Sequence, residues 1–497
     1  MKYRVIAPAL ILLLSSTSLA YSAATAEEAA SIKASIQAYV GSEPGVVEVA
    51  PDGDDYELTL DVMPYIKKNA TADFTATIDP ITITLSPGDE DGTWDVSSSG
   101  PYAFSVASGD LFSTVGKIEN FDWQGTFDEA LGAMSESTST LKGISIASKV
   151  SQPGLSVKTA IEYSIGSVES KSTATEAGEG LADSESTLSF ADVKVSSKTE
   201  ASPDAAAGMP SFDYDASIAK GSYVTSMKSA NLAGILDLVS WLVAHPKDEL
   251  IKQDQAALKE KILEALPVFA NLSSTSTFET LKVNTAIGAF TAELGGSSVV
   301  ANGVVKDGKF GEGFSLSGIT IPAGLVPPWA TELVPTSFKL DFAVSGFDVE
   351  APVRLAVGAM DLTKEPALPA EVESKLLPAF TPNNNVIVTM NPGELVSPTY
   401  TLSYEGALTV NLAGLPKGKA TIRLRGMDTL MAKLSAAGDD PMAKQGVPML
   451  VAAKGFGKAE ADGSIVWVIE GTPAGSVTIN GIDMSSMLGT PPAAPAQ

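Results

Sequence analysis

Histidine, cysteine and clustered acids carry most hydrolytic and metal chemistry, and this chain supplies them unevenly. Its 497 residues hold one histidine, His245, and no cysteine. Ser-His-Asp and Cys-His mechanisms need an imidazole beside the nucleophile, so His245 is the only candidate base of that kind. It directly precedes Pro246, at the end of the apolar run from Leu232 to Val243. A residue before proline disfavours the helical region, and a helix C-terminus favours an imidazolium. A histidine there has a structural explanation without catalysis. A zinc site built on His and Cys ligands is excluded by the same counts.

Two acidic clusters stand out: Asp52, Asp54 and Asp55, then Asp89, Glu90, Asp91 and Asp95. Carboxylates at this density suit a hard cation such as calcium. Neither cluster has the EF-hand spacing, and both contain an Asp-Gly step (Asp52-Gly53, Asp91-Gly92) between strand-like runs, which is a hairpin signature. A glycosidase needs only two carboxylates at a fixed separation, a condition that 59 acids can meet in many ways. Gly414 to Lys419 lacks the spacing of a phosphate loop and is followed by Ala420, and Gly311 with Gly313 lacks the third glycine of a dinucleotide fingerprint. Trp329 and Phe456 could sit at a binding edge, but capping a core is the preferred role. No catalytic, cofactor-binding or metal-ligating residue is therefore assigned, and no cofactor is expected.

The elements that would position any site are mostly strands. Glu27 to Val40 reads as an amphipathic helix through Ile32, Ile36, Tyr39 and Val40, ended by Gly41. The period then becomes two: Tyr56, Leu58, Leu60 and Val62 alternate with polar residues, as do Ile81, Ile83 and Leu85. Residues 135 to 225 are rich in Ser, Thr and Ala. Leu155, Val157, Thr159 and Ile161 keep a strand period there, and Asp192 breaks the alternation begun by Leu188 and Phe190. Modest strands with long polar turns are expected. Leu232 to Val243 and Lys247 to Leu266 form a central helical pair, the second ended by Pro267. After residue 275 alternation returns: Leu281, Val283, Thr285 and Ile287; Phe338, Leu340, Phe342 and Val344; Ile465, Trp467 and Ile469. Asp307-Gly308, Asp462-Gly463 and Asn480-Gly481 mark hairpins. Short helices are expected at 369–377 and 428–452.

The N-terminus reads as a secretory signal. Lys2 and Arg4 precede an apolar run from Val5 to Leu14, too short to span a bilayer. Ser18-Leu19-Ala20, Tyr21-Ser22-Ala23 and Ala24-Thr25-Ala26 offer three candidate cleavage triplets. The formal net charge is -26, and losing Lys2 and Arg4 makes it -28. Such acidity repels nucleic acid and anionic head groups. Four arginines, Arg4, Arg354, Arg423 and Arg425, leave little room for bidentate anion clamps.

The expected fold class is mainly β with a minority of helix (α+β), a long curved antiparallel sheet in meander order with the central helical pair packed on one face. The expected organisation is a signal peptide, 1–26; an N-terminal helix with a β-rich half, 27–225; the helical pair, 226–270; a C-terminal β-rich half, 271–488; and a Pro/Ala tail, 489–497.

The helix passing through Tyr39-Val40-Gly41 into Pro44-Gly45-Val46-Val47 and Tyr56-Glu57-Leu58, then Leu340-Asp341-Phe342 with Met360-Asp361-Leu362, then Gly414-Leu415, Arg423-Leu424-Arg425-Gly426-Met427 and Gly463-Ser464 to Asn480-Gly481-Ile482, resemble the bacterial family called domain of unknown function 2125, over most of the mature chain. The closing strands with Asn480-Gly481 are faintly similar to AsmA-like envelope proteins, which present a long β-groove for lipids. Neither resemblance carries over a site residue. The expectation is a non-enzymatic, periplasmic envelope protein of a Gram-negative cell, with the outer membrane or cell surface as further locations. It would bind a hydrophobic or lipidic ligand, or an envelope protein, along a sheet surface, with no nucleic-acid partner and no transmembrane segment after cleavage. The alternatives are a structural or adhesive surface protein and, below it, a carboxylate-based hydrolase.

Overall fold

The structure is a computed structural model that describes residues 23–152, 157–178, 180–201, 213–411, 416–471 and 476–484. The expected signal run and Pro/Ala tail lie almost wholly outside the described residues. The chain is mostly β, with 53% strand and about 24% helix, and its strands follow antiparallel meander order. It divides into two compact units: residues up to Leu272 with Val357–Leu368, and Ser273–Ala356 with residues from Pro369 onward.

The first unit opens on helix α1 (Ala26–Val40). The Thr25 side chain caps its N-terminus, and Glu27 and Glu28 in its first turn complement the helix dipole. Ala29, Ile32 and Ile36, three and four residues apart, form its buried stripe. The stripe packs on the first strands: β1 (Val47–Asp52), β2 (Asp55–Leu60), β4 (Ile81–Pro87) and the start of β5 (Thr93–Ser108). Val47, Tyr56, Leu58, Ile83, Leu85, Trp94, Val96 and Phe127 complete this core. β3 (Phe74–Ile78) pairs with the other end of β5, and α2 (Met63–Asn69) lies against β3.

From β5 the sheet runs on through five more antiparallel strands: β6 (Phe112–Asp128), β7 (Ala133–Gln152), β8 (Val157–Gly178), β9 (Leu181–Ala201) and β10 (Tyr214–Ala230) follow in order. β7 to β9 are 20 to 22 residues long. At about 3.3 Å per residue that is about 70 Å of strand. The Ser/Thr-rich stretch therefore forms long strands rather than modest ones. Ser and Thr suit this because their hydroxyls can pair laterally on the pleated surface. Helix α3 (Leu232–Ala244) packs against α1, β9 and α5. The expected second central helix is broken at Asp254 into α4 (Asp248–Gln253) and α5 (Gln255–Glu264).

In the second unit β12 (Gly288–Asn302), β13 (Gly308–Ser317), β14 (Ser337–Phe347), β15 (Asn385–Val396), β16 (Thr401–Asn411), β17 (Lys417–Arg425) and β19 (Ile465–Gly471) pair in antiparallel order, with β20 (Val477–Ile479) and β21 (Ile482–Asp483) beyond. β18 (Lys458–Ala459) pairs with the start of β19. Helices α8 (Met427–Ala436) and α9 (Pro441–Phe456) cover one end of this sheet, where Leu424, Met427 and Ile465 are buried. α7 (Ala370–Phe380) and α8 with α9 stand where short helices were expected; α6 (Glu350–Ala359) and a 3₁₀ turn, Pro328–Leu333, were not foreseen. The expected hairpin at Asn480-Gly481 has positive φ at both residues (49° and 82°), as a two-residue type I′ turn requires. Ile287 falls in the turn after β11 (Asn271–Thr285) rather than on the strand.

Leu58 is fully buried, whereas Val115 on β6 is 57% exposed. Leu58→Ala should lower the unfolding free energy by about 2–5 kcal/mol, and Val115→Ala by under about 0.5 kcal/mol, in denaturant titrations. Equal effects would show that the α1 core is not the stabilising centre of this unit.

Candidate functional site

The residues that promised chemistry are engaged in local structure. His245 forms the C-cap of α3. Its ring stacks on Trp241 at 3.8 Å between centroids, Nδ1 lies 2.8 Å from the Trp241 carbonyl oxygen, and Nε2 lies 3.5 Å from Asp254. Both ring nitrogens have partners that tie the end of α3 to the α4–α5 break. Asp52 and Asp55 close the β1–β2 hairpin, and Asp95 accepts a hydrogen bond from Thr126 on the neighbouring strand at 2.9 Å. Asp52 to Asp55 and Asp89 to Asp91 thus lie at hairpin turns, as turn chemistry suggested, whereas Asp95 stands on β5. Trp329 donates to Asp440 at 3.3 Å. Pro416 to Ala420, the described part of the rejected phosphate-loop stretch, leads into β17.

The three described arginines are likewise committed. Arg423 reaches Glu460 and the Ser464 hydroxyl, Arg425 donates to Asp462 at 3.0 Å, and Arg354 pairs with Glu350 at 2.6 Å. Ser464 is fully buried and donates both its N–H (3.0 Å) and its hydroxyl (2.6 Å) to Asp462. Those Ser464 bonds, then the Arg425 guanidinium, hold the Asp462 carboxyl well below the usual carboxylate range. Hydrogen bonds within the Asp361-Leu362-Thr363-Lys364 turn do the same for Asp361.

What the tertiary structure assembles instead is a surface. On β7, Met134, Ser137, Ser139, Leu141, Ile144, Ile146, Ser148 and Val150 share one face. Their cross-strand partners on β6 are Phe127, Gly125, Trp123, Phe121, Ile118, Gly116, Thr114 and Phe112. On β8 the face continues through Val168, Ile165, Tyr163 and Ile161, on β9 through Leu188, Phe190, Val193 and Val195, and on β10 through Tyr223, Gly221, Ile218 and Ala216. Along the paired stretches of β5 to β10 the one charged side chain on this face is Glu176, at the end of β8 opposite Ala182. Glu136, Lys142 and Lys149 on β7, Glu162, Glu169 and Lys171 on β8, and Lys194 and Lys198 on β9 stand on the opposite face and are exposed.

Hydroxyls on the charge-free face pair with one another. Ser137 and Ser172 Oγ are 2.7 Å apart, Ser139 and Ser170 2.8 Å, and Thr114 Oγ1 and Ser148 Oγ 3.0 Å. Paired hydroxyls lose much of their demand for water. Burial pushes the Tyr102 phenol above its usual value, with the Asp79 charge adding to it, which fits a dry face. Most of these side chains are half-buried; Tyr163 and Tyr223 are 42% and 45% exposed. α1 covers one end of the face, at Trp94, Val96 and Phe127.

Keeping one face charge-free along such strands needs a parity change, because the alternation reverses midway. Phe121 and Ile118 share the face although three residues apart, and so do Leu141 with Ile144 and Phe190 with Val193. A line of irregular residues crosses the sheet at this point: Gly100 (φ 136°), Gly143 (φ 64°) and Asp192 (φ 55°), with the register slipping one residue between Gly100 and Tyr102. The break in alternation at Asp192 is one member of this line. A Cβ at Gly143 would lie 2.6 Å from the Glu119 side chain, so glycine meets both the left-handed backbone and the close approach. The aromatic residues of the face were readable only strand by strand; their union depends on the register.

In the second unit a comparable face carries Phe310, Phe314, Leu340 and Phe342, 40–44% exposed, together with Glu312. It ends under α8 and α9. No described helix is long and apolar enough to cross a membrane.

Two measurements follow from these contacts. Because Asp462 is depressed relative to the unfolded chain, its stabilisation is present above the ordinary carboxylate range and lost as pH falls through that range and below. Asp462→Asn should therefore lower the melting temperature at pH 7, with the difference from the parent chain shrinking toward pH 2; a gap independent of pH would refute the assignment. Thr225 Oγ1, on the charge-free face of β10, is buried without a hydrogen-bond partner. Thr225→Val should be neutral or stabilising by up to about 1 kcal/mol in denaturant melts, since it removes an unsatisfied hydroxyl; a loss above that would show a hidden partner. In comparisons with known proteins, no family model, curated protein or solved structure matches the chain.

Proposed function

We propose that this is an exported envelope protein of a Gram-negative cell that binds the hydrocarbon portion of a lipid along the charge-free face of β5 to β10, without catalysing a reaction. The observation that carries this reading is the separation of charge: apart from Glu176 at the end of β8, the charged side chains of the paired stretches stand on one side, and the other side is aromatic, aliphatic or hydroxyl-bearing. A surface meant for water would not need that segregation over six strands, because an unpaired charge is the group most costly to desolvate. Six strands at about 4.8 Å spacing give a face about 25 Å wide, and each strand is longer than the about 30 Å hydrocarbon thickness of a whole bilayer.

Export to the periplasm is supported by Lys2, Arg4 and the apolar run from Val5 to Leu14. The likeness to AsmA-like envelope proteins points the same way, and membership of the domain of unknown function 2125 family belongs to the same proposal. Non-catalytic binding is favoured because His245, Arg354, Arg423, Arg425 and the most perturbed carboxylates are occupied by local contacts. An adhesive role receives less support, since Ser137, Ser139, Ser170 and Ser172 face one another rather than a partner.

The test is lipid binding by the purified full chain, read by native mass spectrometry and by displacement of a fluorescent fatty acid. Lipid should copurify from envelopes. Ile146→Lys, on the charge-free face, should weaken fatty-acid binding at least about ten-fold, about 1.4 kcal/mol, whereas Thr138→Lys, on the exposed opposite face, should leave it unchanged. Equal effects of the two substitutions, or no binding by the parent chain, would refute the proposal.

A further inference from the structure

We infer that the second unit holds a separate site for an ammonium-headed lipid, centred on Glu312. This rests on the reading that a sheet face of this chain binds hydrocarbon, and it adds a second place and a head-group chemistry. In β13 the run Phe310-Gly311-Glu312-Gly313-Phe314 alternates side chains with glycines. Successive strand residues point to opposite sides, so this stretch projects side chains to one side only. Gly311 and Gly313, which failed as a dinucleotide fingerprint, are the blank positions of that alternation.

Register fixes the neighbours of Glu312. Val299 on β12 and Phe342 on β14 stand directly opposite it, and Leu340 and Val344 lie diagonally. Along the paired stretches of β12 to β15, Glu312 is the one charged side chain on this face. Lys309 and Lys339 stand on the other face. Glu312 is exposed, and no described residue gives it an ion pair or a side-chain hydrogen bond. Phe310, Phe314 and Phe342 are 40–42% exposed, so their rings are open to a ligand. β13 is paired on both sides, so Glu312 does not guard a sheet edge.

The patch selects its occupant by charge. A fatty-acid carboxylate would meet Glu312 as a like charge. A neutral head would strip water from Glu312 and give it no partner, which costs free energy. A head with one positive charge satisfies the carboxylate. It also faces aromatic rings, which attract a cation within about 6 Å of their centroids. Same-face neighbours lie about 7 Å apart along a strand and about 5 Å apart across strands. Phe310, Phe314 and Phe342 are therefore all within reach of a head group resting on Glu312. The hydrocarbon then lies over Leu340 and Phe338; the Phe338 ring is 5.6 Å from that of Phe314.

The experiment is calorimetric titration of the full chain with dodecyltrimethylammonium and with dodecyl maltoside, both below micelle formation. The two probes share a chain and differ in head charge. The parent should bind the ammonium at least about five-fold more tightly. Glu312→Gln should remove that preference and leave dodecyl maltoside unchanged. Phe342→Leu, which keeps apolar bulk but loses the ring, should weaken the ammonium about two- to five-fold. Glu394→Gln, the same loss of charge at an exposed position of the other face, should change nothing. Equal losses in Glu312→Gln and Glu394→Gln would mean general attraction of a cation to an acidic chain, and overturn the site. So would a parent without preference for the ammonium. If fatty-acid binding still responds to Ile146→Lys while the ammonium ignores Glu312, this site falls and the reading of the first unit stands; if neither ligand binds, both fall.

Discussion

Strand geometry imposes one constraint on which the first unit depends: successive side chains point to opposite sides, so a slip of one residue moves every charge across the sheet. Six strands of 16 to 22 residues must obey this together. Lys142 and Lys149 stand on the same side as Glu162 and Glu169, and Leu141 and Ile146 stand with Val168 and Tyr163, because the β7–β8 register holds throughout. The irregular line through Gly100, Gly143 and Asp192 is part of the constraint. The charge pattern reverses parity there, and the backbone reverses with it.

Once charge is confined to one side, the other side can be dry only if its polar atoms are satisfied. Backbone groups are satisfied by the ladder, and several hydroxyls by cross-strand pairs such as Ser139 with Ser170, with Thr225 the exception. Bulky residues at the ends receive helices: α1 over Trp94 and Phe127 in the first unit, α8 and α9 over Leu424 and Ile465 in the second. In the first unit, what α1 leaves uncovered is a face of aromatic, aliphatic and hydroxyl side chains.

The groups that usually perform chemistry serve the same architecture. Asp462, Ser464, Arg423 and Arg425 form one network around the turn that starts β19. His245 and Trp241 close α3. A chain without cysteine has no covalent staple, so turns and helix ends are held by such local polar contacts while the ladders and the small cores supply the cooperative part of stability.

By itself the amino-acid sequence determined the local features whose cause is local. Alternation marked the strands from Tyr56 to Leu60 and from Phe338 to Val344, Asn480-Gly481 specified its turn through the backbone angles it tolerates, and Pro246 placed His245 at a helix end. The long Ser/Thr strands were harder to read, because small hydroxyl residues alternate weakly in hydropathy and Asp192 looked like the end of a strand. Only the tertiary structure decided that this residue is a kink shared with Gly100 and Gly143, and that the half-apolar strands on either side join into one charge-free face. That face depends on which residues stand opposite each other across strands, a set of long-range registers that no window along the chain contains.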